Sequence, residues 1–151
     1  MLWNVLARAN DAIWVVGDNG TLLKCSESSK ACSRVGAGTS ADLYDLWISS
    51  SDVVYVVGTA GTVTTCKPGQ GSCTSAQLAT TRDLNIIQGR AAAGGSSIWI
   101  AGDGGTILQY DGVAWKTMTS NTTANLRAVW GSSPTNIFAV GDGGTVLHYT
   151  P

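Results

Sequence analysis

Few side chains in this sequence are equipped for chemistry. The one glutamate is Glu27 and the one histidine is His148. Glycoside hydrolysis wants paired carboxylates, or a carboxylate assisting a tyrosine nucleophile. Glu27 stands alone between Cys25 and Cys32, where a solvated loop charge is expected. His148 lies on an alternating, polar strand position, where a surface role is expected over catalysis or metal binding. Asp18, Asp103 and Asp142 sit in glycine-rich turns. Calcium needs six to eight oxygens at one point, and these aspartates fall one to a repeat. They are expected to bond their own turn backbone. No nucleophile–base pair, phosphate loop or nucleotide fingerprint is visible, so the residues predict no enzyme, no metal site and no cofactor.

The four cysteines form two pairs, Cys25/Cys32 and Cys66/Cys73, each with six residues between. That spacing is wider than the two to four of zinc knuckles. Two disulfides are the expected state, with free thiols and a metal site as the alternatives. Disulfides place a protein in an oxidising compartment, so an extracellular or periplasmic location is expected. No signal peptide is visible in the chain. Exposed aromatic residues remain as binding candidates: Trp3, Tyr44, Trp47 and Trp130. Such rings stack on sugars or fill a partner's pocket, or else pack inside the protein.

The elements that carry these residues form a repeat. The segment G-x-x-G-T occurs as Gly17-Asp18-Asn19-Gly20-Thr21, Gly58-Thr59-Ala60-Gly61-Thr62, Gly102-Asp103-Gly104-Gly105-Thr106 and Gly141-Asp142-Gly143-Gly144-Thr145. The intervals between first glycines are 41, 44 and 39 residues. Before each copy stands an apolar run with an aromatic at a fixed place: Trp14, Tyr55, Trp99 or Phe138. β-Branched and aromatic residues bounded by glycine predict a strand, and a run without alternation predicts burial on both faces. Eleven residues before that run in three repeats, and 14 in the third, a second strand opens on Leu2, Leu43, Leu84 or Leu126. The extra residues of the third repeat fall in 91–97, a loop by composition. After each glycine turn comes a half-exposed third strand. A fourth is expected near 32–35, 73–78 and 115–118, and is missing from the last repeat. Glycine in the turns supplies the positive φ that tight hairpins need.

A unit of four antiparallel strands in about 40 residues is a propeller blade. The expected fold is therefore an all-β propeller of four blades, at about 1–41, 42–82, 83–124 and 125–151. With 151 residues the chain suits one domain. Nine basic against ten acidic residues offer no surface for nucleic acid, and no apolar run approaches the roughly 20 residues of a membrane helix.

The segment from Leu126-Arg127-Ala128-Val129-Trp130 through Gly141-Asp142-Gly143-Gly144-Thr145 to Tyr149 resembles the blade of secreted bacterial repeat proteins. Those are grouped with the Asp-box (BNR-like) and photosystem II assembly-factor-like propellers. The resemblance covers nearly the whole chain. Only Tyr110-Asp111-Gly112-Val113-Ala114-Trp115 keeps the outline of an Asp-box. It implies a propeller fold and many possible functions. We read the chain as a non-catalytic scaffold or protein-interaction propeller of an exported bacterial protein. A carbohydrate-binding propeller is the alternative, and a degenerate glycosidase-like propeller a distant third. Four blades left as an open arc would expose apolar ends, such as those carrying Trp14 and Phe138. The expected partners are a second copy, giving a homodimeric eight-bladed ring, or further blades of a longer parent. An unknown protein or glycan is the expected ligand.

Overall fold

A computed structural model describes residues 1–8, 12–92, 95–133 and 135–150. It contains fifteen strands in four separate antiparallel sheets. Blade 1 comprises β1 (Leu2–Ala7), β2 (Ala12–Gly17), β3 (Thr21–Ser26) and β4 (Cys32–Arg34). Blade 2 comprises β5 (Leu43–Ile48), β6 (Val54–Gly58), β7 (Thr62–Cys66) and β8 (Thr74–Gln77). Blade 3 comprises β9 (Leu84–Ala92), β10 (Gly95–Gly102), β11 (Ile107–Tyr110) and β12 (Trp115–Met118). Blade 4 has three strands, β13 (Leu126–Ser133), β14 (Asn136–Gly141) and β15 (Thr145–Tyr149). Strand order within each sheet follows chain order, as four meanders demand. Of the segment 91–97, expected as a loop, residues 91–92 and 95–97 instead lengthen the β9–β10 pairing, with Ser97 opposite Arg90 and Gly95 opposite Ala92, while 93 and 94 lie outside the described residues. Ladder hydrogen bonds come from the backbone, so small and glycine residues do not prevent pairing.

The apolar second strand of each blade explains how blades stack. Val54 and Val56 pack toward blade 1 with Val16 and Leu22, whereas Val57 packs toward blade 3 with Ile98 and Ile100. Alternation thus sends one half of the run to each neighbour. Three buried clusters fill the interfaces 1/2, 2/3 and 3/4. Among the described residues no cluster joins blade 4 to blade 1, so the arc is open. The expectation for its ends needs one correction. Phe138 does lie on the free face of blade 4, but Trp14 packs against the cluster between blades 1 and 2. The two hold the same repeat position and point the same way round the arc, so only one can face an open end. The free face of blade 1 carries the exposed Leu2 and Val5 instead.

The glycine turn also divides its labour differently from the expectation. Of the two glycines that recur in every turn, only the second has positive φ: +63° at Gly20, +71° at Gly61, +73° at Gly105 and Gly144. The first is extended and serves close approach. A Cβ on Gly58 would stand 1.9 Å from the Asp42 carbonyl, and one on Gly102 2.1 Å from that of Asp83.

Both cysteine pairs are disulfides, closing the turn between the third and fourth strands of blades 1 and 2. Blade 3 uses Tyr110 and Trp115 at the same place, with ring centroids 5.2 Å apart. Beside them Asp111 accepts hydrogen bonds from the Val113 and Ala114 amides, which holds the short turn. The two disulfides differ in burial. Cys66 and Cys73 are 6% and 8% exposed, while Cys32 lies on the surface. Access governs attack by a thiolate, so Cys25–Cys32 is expected to open first under limiting reductant. Differential alkylation read by peptide mass spectrometry checks this order, and equal labelling of both pairs would contradict it.

Candidate functional site

The four inner strands β1, β5, β9 and β13 lie side by side. Each carries a β-bulge at its second residue. Leu2 pairs with Gly17 and Asn4 with Val16, which leaves Trp3 as the extra residue. Leu43 and Asp45 likewise leave out Tyr44, Leu84 and Ile86 leave out Asn85, and Leu126 and Ala128 leave out Arg127. A bulged residue escapes the ladder, and its side chain is re-aimed. Four adjacent strands therefore present Trp3, Tyr44, Asn85 and Arg127 at the end where the glycine turns gather.

The turn residues bind these side chains rather than their own backbone, contrary to expectation. The Trp3 indole donates to Asp18. Asn85 Nδ2 donates to Asp103 Oδ1 at 2.8 Å and to the Leu126 carbonyl at 3.0 Å. Arg127 grips Asp142 with two bonds of 3.0 Å and lies 3.8 Å from Asp103. Arg127 holds the Asp142 carboxyl below its ordinary value. Trp3 meets Tyr44 edge to face, with centroids 5.7 Å apart, and is 51% exposed. Burial raises the Tyr44 phenol above its ordinary value, and the charges of Asp83, Asp42, Asp103 and Asp18 add to it. The surface thus combines an aromatic pair, carboxylate acceptors and one guanidinium.

Beneath it, Asp45 joins three blades. Its carboxylate accepts from the Ile87 amide of blade 3 at 2.8 Å and from Asn4 of blade 1. Burial pushes this carboxyl above its usual value, while hydrogen bonds from Ile87, Leu46 and Asn4 pull it down. A raised folded value favours the protonated form. The stability it confers is full below about pH 4 and is lost as pH rises through the raised folded value. In an NMR titration the Asp45 carboxyl carbon is expected to turn above the ordinary value of an aspartate. A midpoint at or below about pH 4 would refute this.

The other sequence candidates lie elsewhere. Trp47 turns into the cluster between blades 2 and 3, 6.0 Å from Tyr55. Its indole lies against Gly89, where a Cβ would stand 2.5 Å from the ring. Trp130 is 55% exposed on the free face of blade 4, with the Arg90 guanidinium 5.5 Å from its ring centre. Glu27 is exposed in the Cys25–Cys32 turn. His148 stacks on Phe138 at 4.1 Å, and its Nε2 is 2.6 Å from Asn136 Oδ1. Asn85 and Arg127 were not singled out from the sequence. The available signal was the buried pair Leu43/Leu46, repeated as Leu84/Ile87 and Leu126/Val129. A same-side spacing of three breaks strand alternation and marks a bulge.

No protein-family model matches the sequence, and no curated protein matches it. Solved structures do. YCF48 bound to D1 peptide superposes with a TM-score of 0.69 at 18% identity, over 97% of this chain and 48% of that one. A catalytically inactive virginiamycin B lyase from Staphylococcus aureus gives 0.75 at 11% identity, over 99% and 55%. The WD40 beta propeller domain of Doa1 gives 0.56 at 10% identity, over 97% and 64%. The fold is a β-propeller. This chain spans about half the length of the first two propellers. A lyase and a protein solved with a bound peptide are both among its likenesses, and identities this low carry the fold alone.

Proposed function

We propose that this chain is a non-catalytic, protein-interaction part of a propeller from an exported bacterial protein, and that the bulge surface is its contact face. The observation that carries this reading is the identity of the four bulged residues. Equivalent positions on four blades hold Trp3, Tyr44, Asn85 and Arg127. Three of these are the residue types that dominate protein interfaces. Because all four differ, the face suits an asymmetric polypeptide better than a small sugar bound identically on each blade. The likeness to YCF48 in a peptide complex supports the same reading, and the two disulfides support export.

The test is selection of binding peptides from a displayed library, beside a glycan array. Selected peptides are expected to perturb the NMR signals of Trp3, Tyr44, Asn85 and Arg127. Trp3→Ala is expected to weaken them by about tenfold or more. Glycan binding displaced by the same substitutions, or peptides that leave these four signals unmoved, would overturn the proposal.

A further inference from the structure

Each internal glycine turn is covered by the linker that leads to the next blade, and the cover has a fixed chemistry. The linkers read Thr39-Ser40-Ala41-Asp42, Thr80-Thr81-Arg82-Asp83 and Thr122-Thr123-Ala124-Asn125, each followed by the leading leucine. In each, the threonine hydroxyl accepts from the backbone amide two residues on. The third residue's carbonyl accepts from the turn's second glycine: Gly20 to Ala41, Gly61 to Arg82 and Gly105 to Ala124, all at 2.8 Å. The Asp or Asn side chain accepts from the residue before that glycine: Asn19 to Asp42 at 2.9 Å, Ala60 to Asp83 at 3.0 Å and Gly104 to Asn125 at 2.9 Å.

Blade 4 repeats the turn without the cover. Gly143 and Gly144 keep the geometry, φ +66° and +73°, yet a Cβ on either would meet nothing within 4 Å. Among the described residues neither amide has an acceptor. The sheet below them is equally bare. Phe138, Val140 and Val146 are 37%, 41% and 66% exposed, whereas Tyr55, Val57 and Val63 at the same positions of blade 2 are covered by blade 3, the valines at 0% and 4%.

We infer that the free face of blade 4 receives a further blade of the same repeat, led by a Thr-x-x-Asp/Asn-Leu linker whose carbonyl and side chain engage Gly144 and Gly143. The face continues three established interfaces, and this decides among occupants. A second copy would offer its blade 1, which carries Met1 where Asp42, Asp83 and Asn125 stand. Methionine has no acceptor of that kind. Blade 1 also has Ala7 at the place of Gly89, which Trp47 fills, and Trp130 is the counterpart of Trp47. This inference is independent of the peptide-binding proposal, because it concerns an edge and not the bulge surface.

The test extends the chain after Tyr149 with its own residues 111–149, which supply a fourth strand, the linker with Asn125, and a blade with Gly131 opposite Trp130. The amides of Gly143 and Gly144 are expected to exchange about 100-fold more slowly than in the unextended chain, and Trp130 to become shielded from a soluble quencher. Asn125→Ala in the added segment alone is expected to release Gly143 and leave Gly144 protected. Unchanged exchange, or loss at both glycines together, would overturn the inference. The unextended chain gives a second measurement that does not depend on the extension folding. Its Gly143 and Gly144 amides are expected to exchange at least about 100-fold faster than those of Gly104 and Gly105. Equal protection, accompanied by a dimer in light scattering, would assign the face to a second copy instead.

Discussion

Gly61→Val is expected to cost more than about 4 kcal/mol, enough to leave a domain of ordinary stability largely unfolded. Three effects add at this one atom. The backbone sits at φ +71°, which a β-branched residue strongly resists. The new Cβ would stand 2.1 Å from the Thr80 carbonyl oxygen, which is backbone and cannot swing away. Relief of that clash would break the Gly61 amide bond to Arg82. Gly144→Val is the matched control. It has the same motif position and φ +73°, with nothing within 4 Å. Only conformational strain of about 1–2 kcal/mol is expected there. Urea unfolding followed by tryptophan fluorescence compares the two, and equal losses would refute the account of linker contact.

The second large effect comes from one sequence position in two blades. Leu84 opens β9 and is fully buried between blades 2 and 3. Leu84→Ala is expected to cost about 3–5 kcal/mol, as a removed side chain in a close-packed interface leaves a cavity. Leu2 opens β1 at the equivalent place and is 57% exposed. Leu2→Ala is expected to cost less than about 1 kcal/mol, since little apolar area leaves the protein interior. The same unfolding assay measures both. If Leu2→Ala matched Leu84→Ala, the face of blade 1 would be covered in solution.

Much of this architecture was legible in the sequence because a repeat tests itself. Four glycine turns at nearly constant spacing, each after an apolar run, define four meanders. Two cysteine pairs in register define two closed turns. The hidden parts were those in which equivalent residues meet different surroundings. Trp14 and Phe138 look alike in sequence, yet one is packed and the other exposed, because which side of a strand is open depends on the neighbouring blade. The bulge site was half visible. Trp3 and Tyr44 stand out as aromatic residues on inner strands, but Asn85 and Arg127 share no side-chain type with them. Their grouping follows from backbone pairing, which composition does not report. The partners of Asp18, Asp103 and Asp142 were missed for the same reason. Each depends on where the bulge throws the residue across from it.

Asp42, Asp83 and Asn125 each touch two turns at once, by side chain to the blade before and by carbonyl to the blade they begin. Such residues make the arc behave as a one-dimensional zipper, in which a blade holds as firmly as its neighbours allow. Opening then starts at an end and travels inward. Blade 1 resists through a disulfide, and blade 2 through a second disulfide and two flanking interfaces. Blade 4 has one interface and neither crosslink. Unzipping therefore has a direction, from the last blade toward the first, and a covering blade at that end would act as the zipper's stop.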